Sequence, residues 1–338
     1  MGIYQDIVKK TLTLDGAMGT MIQRHVLTED DFRGTRFANH NVALKGNNDL
    51  LCITRPDIIE EIHFQYFEAG ADIVETNTFN AQQISMEDYS LTDCIAEVNA
   101  AAVSCAKKAR EAYYSKYGHQ SKKYIAGAVG PTSKTTSLSP DVNNPAYRAV
   151  TYDQLHTAYF EQIESLVDAG VDAILIETIF DTLNAKAAFH AALDVLEKKN
   201  LKPITAAHPN GDIALMASGT ITDAAGRTLS GQTAAAFAIS LSHLPLFSIG
   251  FNCALGADQL LPHVKELKKH TTAFVSAYPN AGLPNALGQY DETPEIMAKK
   301  ITAFLEDNGV QIIGGCCGTT PDHICAIHQL VEHQNPTI

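Results

Sequence analysis

Three of the seven cysteines stand in short glycine-containing motifs that could bind a metal ion. Cys253 lies in GFNCALG (250–256), and Cys316 and Cys317 are adjacent in GGCCGTTPDH (314–323). Thiolates are soft ligands that suit zinc, and a catalytic zinc site has three protein ligands and one exchangeable position. A lone cysteine is more often a small buried apolar residue, and an adjacent pair can be inert or form a vicinal disulfide. The spacing alone leaves zinc and these alternatives open.

A second group of polar residues stands where predicted strands end. Asp15 ends the first strand, Glu75 and Thr76 the second, Glu177 the fourth and Asn252 the sixth. A buried carboxylate at such a place could bind a cation. Each glutamate could equally accept hydrogen bonds from backbone amides or pair with a lysine, and Asp15 before a glycine could simply form a turn.

The elements that must position these residues alternate a short apolar run with a longer segment of helical period. This pattern is typical of a parallel sheet wrapped by helices. Two strands have related lead-ins, AGADIVET (69–76) and AGVDAILIET (169–178), which indicates a repeated unit. The eight predicted strands are TLTLDG (11–16), DIVETN (72–77), YIAGAVG (124–130), DAILIET (172–178), IALMASG (213–219), LFSIGFN (246–252), TAFVSAY (272–278) and VQIIGG (310–315).

Eight such units predict a single-domain (β/α)8 barrel over residues 1–338. The alternative is an open doubly wound sheet, but LDGAMGTM (14–21) lacks the GxGxxG spacing of a phosphate-binding turn. A barrel builds its active site at the carboxyl ends of its strands, so Cys253, Cys316 and Cys317 could converge there. Residues 22–55 and 131–150 are predicted to be long loops over the barrel mouth.

Helix boundaries are marked by their end residues. We predict a helix from Pro56 to Gly70 and another that begins after Thr293 as N-cap and ends near Gly309. Thr320 and Pro321 predict the start of the last helix, whose positive end would favour ionised cysteines nearby.

Composition excludes several classes of function. The net charge of −13 and the scattered basic residues argue against nucleic-acid binding. No apolar run is long enough to span a membrane, and the first residues lack the apolar core of a signal peptide, so we expect a cytoplasmic protein. An odd number of cysteines in a chain of this size argues against a disulfide framework. The remaining four are assigned to ordinary packing: Cys52, Cys94, Cys105 and Cys325.

Several long motifs, in order, resemble the homocysteine S-methyltransferase family. Within it, the chain is most similar to the N-terminal homocysteine-binding module of cobalamin-dependent methionine synthase. Residues 200–212 depart from the family by looking longer, which leaves the start of the fifth strand open. The motifs are LDGAMGTMIQ (14–23), the run 55–80 ending in ADIVETNTFN, ETIFDTLNAKAA (177–188), SGTITDAAGRTLSGQT (218–233), GFNCALG (250–256), YPNAGLPNALGQY (278–290) and GGCCGTTPDHI (314–324).

The resemblance implies a role for each matching residue. Zinc ligation falls to Cys253, Cys316 and Cys317, with Asn280 as a candidate for the oxygen ligand that leaves when homocysteine binds. Glu177 matches the carboxylate that takes the substrate ammonium group. The remaining implied contacts with homocysteine are Asp15, Gly16, Thr76 and Asn252. We expect the zinc-bound thiolate of homocysteine to attack a methyl group in line, with no general base beyond solvent.

The methyl donor implied by the resemblance is methylcobalamin, recharged from methyltetrahydrofolate. The chain stops soon after its last predicted helix, so we expect either the excised first module of a longer enzyme or a separate subunit that docks with a cobalamin protein. In both cases the cobalamin and folate modules or subunits are the expected partners, and cobalamin is not bound by this domain alone. A stand-alone methyltransferase using betaine or S-methylmethionine is the alternative, although the chain has no Trp to bind a quaternary ammonium. A non-catalytic barrel with structural zinc is the alternative from another class.

Overall fold

A computed structural model describes residues 2–119, 121–223, 225–306 and 309–334. Its strands are β1 (Leu12–Thr13), β2 (Ile73–Glu75), β3 (Tyr124–Val129), β4 (Ala173–Ile179), β5 (Ala214–Gly219), β6 (Ser248–Gly256), β7 (Phe274–Asn280) and β8 (Ile312–Ile313). Its helices are α1 (Ile3–Ile7), α2 (Met18–Gln23), α3 (Glu29–Arg33), α4 (Leu51–Thr54), α5 (Pro56–Glu68), α6 (Gln83–Met86), α7 (Ile95–Tyr117), α8 (Tyr152–Asp168), α9 (Thr182–Lys198), α10 (Ala234–Leu241), α11 (Ala257–Lys268), α12 (Pro294–Leu305) and α13 (Pro321–Gln334).

The eight strands form a (β/α)8 barrel, as predicted. All paired strands are parallel, in the order β1-β8-β7-β6-β5-β4-β3-β2. A bridge between Leu14 and Ile73 joins the two ends of this ladder, and Asp15 N–H donates to the Ile73 carbonyl at 3.0 Å. The barrel is therefore closed between β1 and β2 by a short seam.

Side-chain alternation along the strands fills the barrel interior. Leu12 and Leu14 pack with Ile73 and Leu175 in one buried cluster, which also contains Ile3 of α1. The short first helix thus covers the N-terminal opening of the barrel. Because alternate residues share a face, the interior stack on β2 and β4 ends in glutamates at the opposite, C-terminal opening.

Two acids at the N-terminal ends of strands, one buried and one partly buried, have basic partners. Asp72, just before β2, lies 2.8 Å from Lys10 and 3.9 Å from the buried Lys123. Asp172, just before β4, lies 3.3 Å from Arg110 and accepts a hydrogen bond from a backbone amide of β3. Both acids belong to the repeated lead-ins of the sequence, so the repeat includes an ion pair at the base of each strand.

The region predicted to be one long loop at 22–55 instead contains short helices. Thr28 and Asp31 form a capping box at the start of α3, and Phe32 is buried. A 3₁₀ turn at Asn48–Leu50 leads directly into α4. Buried apolar residues and N-caps stabilise these turns, although the segment is too irregular to show a helical period. Residues 131–150 do form a loop without regular structure.

Predicted element boundaries are close to those observed. Helix α5 begins at Pro56, and Thr293 caps α12 by accepting a hydrogen bond from the Ile296 amide. Strand β5 begins at Ala214, after an isolated bridge between Pro203 and Ile213 that accounts for the long preceding link. No helix among the described residues is both long and apolar enough to cross a membrane.

Candidate active site

The C-terminal ends of the strands surround a cavity of about 820 Å³. Its walls include the strand ends, and its rim includes α2 and residues 288–291. The structure brings together eight of the residues that the sequence singled out for binding or chemistry. Those that line the cavity are Asp15, Gly16, Glu75, Thr76, Glu177, Cys253, Cys316 and Cys317.

The three cysteines converge on one side of this cavity. The Sγ atoms of Cys253 and Cys317 are 3.6 Å apart, and the three Sγ atoms all lie within 4.8 Å of one another. None of the three is in a disulfide. The separation of 63 residues between Cys253 and Cys316 in the chain is overcome because β6 and β8 end at the same opening.

Cys253 reaches the cluster through an irregularity in β6. The pairing of β6 with β7 shifts between Asn252 and Gly256, and Cys253 and Ala254 have φ values of 59° and 54°. Such left-handed conformations are costly for residues other than glycine and often occur at functional sites. This bulge directs a strand residue toward the cavity.

Cys316 and Cys317 lie in a tight turn after β8. The Cys316 amide donates to the Pro279 carbonyl at 2.8 Å, and Thr319 donates to the Cys316 carbonyl through its amide and its hydroxyl. Gly318 has a φ of 82°, and a Cβ there would lie 2.3 Å from Cβ of Tyr290. A glycine is therefore required at this point.

Because the three thiols lie close together, their pKa values differ. Hydrogen bonds from Cys253 and then Cys316 lower the pKa of Cys317 to about 3. Hydrogen bonds with the other two thiols, followed by burial, raise the pKa of Cys316. One thiolate is thus stabilised at neutral pH before any metal binds.

The donor set fits zinc. The three Sγ atoms are close enough together to bind one ion, and they would supply three of the four ligands of a tetrahedral site. Asn280 on the adjacent β7 is buried, and its Oδ1 has no hydrogen-bond partner among the described residues. A buried amide oxygen without a partner is uncommon and needs an explanation, such as an absent ion. Asn280 lies behind the cavity wall rather than on its surface.

Three carboxyl groups lie at the same end of the barrel without a cation. Asp15 is buried and accepts a hydrogen bond at 3.0 Å from the Glu75 amide. Burial raises the pKa of Glu75 to about 8. Burial, followed by repulsion from Glu75 and Asp15, raises the pKa of Glu177. In the described part of the chain, no Lys, Arg or His lies within ion-pair distance of these three groups.

Two smaller residues shape the wall beside the carboxyl groups. Gly16 lies so close to its neighbours that an added Cβ would approach Thr319 Oγ1 at 2.7 Å and the Tyr66 ring at 2.9 Å. The Thr76 hydroxyl accepts from the Ala128 amide at 3.0 Å, so this side chain is already fixed by β3. The direct contacts with homocysteine implied for both residues remain predictions.

Asn252 is buried beneath the cavity surface. Its Oδ1 accepts hydrogen bonds from the Thr178 amide and the Ser218 hydroxyl, and its Nδ2 donates to the Thr178 hydroxyl. Thr178 has a φ of 53° and directly follows Glu177. Asn252 therefore holds the end of β4 in place, and its direct contact with substrate remains a prediction.

Sequence reasoning missed two tyrosines of the cavity. Tyr278 is buried, lines the cavity and lies next to Glu177, where its hydroxyl partly offsets the rise in the pKa of that carboxyl group. It stands two residues before Asn280, on the same face of β7, and this alternation could have identified it. Tyr290 lies on the rim, where burial and the charges of Cys317 and Cys253 raise its pKa. Its position in an irregular segment gave no such signal.

The model of the family described as homocysteine S-methyltransferase matches residues 12–331. The chain belongs to the homocysteine S-methyltransferase family. Among solved structures, the family's fold is shared with the homocysteine methyltransferase MmuM from Escherichia coli. Its oxidized form has 22% identity and a TM-score of 0.70, covering 94% of this chain and 95% of that one. Its metallated form has 23% identity and a TM-score of 0.69, covering 95% and 96%. At these identities the likeness establishes the fold.

Proposed function

We propose that this member of the family transfers a methyl group to the sulfur of homocysteine, with zinc held by Cys253, Cys316 and Cys317. One observation carries the proposal: three converging thiols and three buried carboxyl groups share one cavity. Homocysteine has a thiol at one end and an ammonium group at the other. Zinc bound by the three cysteines would lower the pKa of the substrate thiol and so make a nucleophilic sulfur available at neutral pH.

The carboxyl groups supply the complementary half of the site. Glu177, Glu75 and Asp15 repel one another when ionised, and burial adds to that cost. A substrate ammonium group offsets both effects, so these groups should bind it in their ionised form. Anchoring that end restricts where the sulfur can lie, and such positioning accounts for much of the rate of a bimolecular transfer.

Asn280 is proposed as the oxygen ligand that holds the metal when homocysteine is absent. Its buried and unpartnered Oδ1 supports this role. Exchange of that oxygen for the substrate sulfur would make binding selective for thiols. A closed structural zinc site would have no such exchangeable ligand.

Methylcobalamin carried by another module or subunit, and recharged from methyltetrahydrofolate, is the proposed methyl donor. The support is the run of motifs shared with the cobalamin-dependent methionine synthase module. A corrin would meet the thiols through the open mouth of the barrel, on which Tyr290 and α2 lie.

A small cationic donor such as S-methylmethionine or betaine is the second candidate. The acidity of the cavity favours it: Arg24 is the one basic residue among the described lining residues. The acidic lining residues are Asp15, Asp49, Glu75, Glu177 and Asp291. Such a lining attracts a sulfonium or quaternary ammonium ion.

X-ray absorption at the zinc edge tests the metal proposal. Without homocysteine we expect three sulfur scatterers and one oxygen or nitrogen; with homocysteine, four sulfurs. Asn280→Ala should alter the first spectrum and leave the second unchanged, and Cys325→Ala, at a cysteine outside the cavity, should alter neither. A shell of four sulfurs that does not respond to homocysteine would support a non-catalytic barrel with structural zinc.

Donor assays decide between the two candidates. Purified protein is supplied with homocysteine and, in separate reactions, methylcobalamin, S-methylmethionine or betaine, and methionine is measured. Turnover with methylcobalamin alone supports the first candidate. Turnover with a sulfonium or betaine and none with methylcobalamin supports the second.

A further inference from the structure

A second group of metal-binding side chains lies outside the barrel, between α8 and α9. His156 projects from α8, and His190 and Asp194 project from successive turns of α9. Each of the three offers a ligand atom, and these atoms lie within 4.8 Å of one another. The cluster is separate from the cavity, since none of its residues lines it.

The carboxylate of Asp194 lies between the two imidazoles. Its Oδ2 is 2.8 Å from Nε2 of His156, and its Oδ1 is 3.7 Å from Nε2 of His190. The two rings are 4.7 Å apart between centroids and inclined at 60°. Both Nε2 atoms thus face the same carboxylate, which is the arrangement needed for one ion to contact all three groups.

Tyr152 orients the more exposed imidazole. Its hydroxyl is 3.3 Å from Nδ1 of His190, the nitrogen that does not face Asp194. Metal-binding histidines commonly use the second ring nitrogen in a hydrogen bond of this kind, which fixes the orientation of the ring. Tyr152 thereby leaves Nε2 of His190 available as a ligand.

The donor set selects a class of ion. Two imidazoles and one carboxylate suit zinc, nickel, copper and other divalent transition metals, whereas calcium and magnesium prefer oxygen ligands. Tetrahedral coordination with bonds of about 2.1 Å places ligand atoms roughly 3.4 Å apart. The two observed distances to Asp194, 2.8 Å from His156 and 3.7 Å from His190, lie on either side of that spacing.

We propose that His156, His190 and Asp194 bind a divalent transition-metal ion that links α8 to α9. This site is distinct from the three cysteines and is not needed for methyl transfer. Because an ion bound only by the folded state stabilises it, occupancy should raise the melting temperature of the protein.

Nickel binding to untagged protein, with its thiol site first filled with zinc, tests the proposal. Calorimetric titration should show one equivalent of Ni²⁺ bound by the unaltered protein. Tyr152→Phe should weaken binding by about tenfold, and His190→Ala, which removes a ligand, by at least that factor. The Ni²⁺-dependent rise in melting temperature should be lost in His190→Ala, while methyl transfer is unchanged.

Two control variants separate this site from other sites of nickel binding. His208→Ala, at an exposed histidine in the link before β5, should bind Ni²⁺ as the unaltered protein does. Cys316→Ala should also retain the Ni²⁺ site, because that site does not use the thiols. No Ni²⁺ binding by the unaltered protein, equal binding by His190→Ala, or loss of binding in Cys316→Ala would each overturn the proposal.

Discussion

Acidic residues at the two ends of the same strands have opposite surroundings. At the base of β2, Asp72 is paired with Lys10 and Lys123, whereas Glu75 at the top of that strand has no cation. Strand β4 repeats the contrast, with Asp172 beside Arg110 at its base and Glu177 uncompensated at its top.

The contrast separates folding from binding. An isolated buried charge costs several kcal/mol, so an acid that must stabilise the barrel needs its partner within the chain. The acids at the mouth have no such partner among the described residues, and we propose that a cationic group of a ligand stabilises their ionised forms. Mutations at the base should therefore lower the stability of the fold, and mutations at the mouth should lower activity.

Cys316→Ala should have the largest effect on activity and little on the fold. We expect loss of zinc and a fall in kcat/KM of at least about a thousandfold, because the metal no longer activates the thiol. Metal analysis, kinetics and circular dichroism measure the three properties. Global unfolding of the variant would show that residues at the mouth are also needed for the stability of the fold.

Asp72→Asn tests the base of the barrel. Removing one partner of a buried ion pair leaves Lys123 uncompensated and should lower the free energy of unfolding by about 3–5 kcal/mol. Urea denaturation measures this loss, and kcat/KM of the folded variant should be unchanged. Asp168→Asn, which removes an exposed partner of Lys199, should cost no more than about 1 kcal/mol.

Glu177→Gln should have the reverse signature. Loss of the proposed buried partner of the substrate ammonium group should cost about 2–5 kcal/mol in kcat/KM. The free energy of unfolding should stay the same or increase, because an uncompensated acid has been removed. A stability loss comparable to that of Asp72→Asn would contradict the division between the two ends.

The pH dependence of stability gives the smallest effect when it is counted per unit of pH. Burial raises the pKa of Glu75 from 4.5 to about 8, so the folded state holds this proton more tightly than the unfolded state does. Its contribution to stability is full below pH 4.5 and is lost as the pH rises to about 8, by at most about 1.4 kcal/mol per pH unit.

Glu75→Gln should flatten that slope, and saturating homocysteine should reduce it by stabilising the ionised carboxyl groups. Thermal unfolding across this pH range measures both. An equal slope in the variant and the unaltered protein would show that Glu75 does not titrate there.

Much of the barrel could be predicted because its strands are apolar runs with distinct ends. The convergence of Cys253 with Cys316 and Cys317 also followed from the rule that strand ends meet at one opening. The carboxyl groups at that opening were recognised for the same reason. Local pattern and topology together were sufficient for these features.

Other features depend on contacts that the sequence pattern does not encode. The bulge that turns Cys253 inward has no glycine at its two positions of positive φ, so the sequence contains no sign of it. Asn252 holds Thr178 through two hydrogen bonds, a role that depends on packing and that the sequence did not reveal, while its expected contact with the substrate stays a prediction. The short helices between 22 and 55 are stabilised by buried apolar residues, and they are too short to show a helical period in the sequence.

The seam of the barrel has a consequence for its motions. Strands β1 and β8 contain two residues each, and a single bridge joins β1 to β2, whereas β6 contains nine residues. Segments with few ladder hydrogen bonds open locally at a lower free energy than the rest of a fold. Amide hydrogens around Leu14 and Ile313 should therefore exchange with solvent sooner than those of β6. Since Asp15 and Glu75 lie on the two sides of this seam, a ligand that contacts both would slow that exchange.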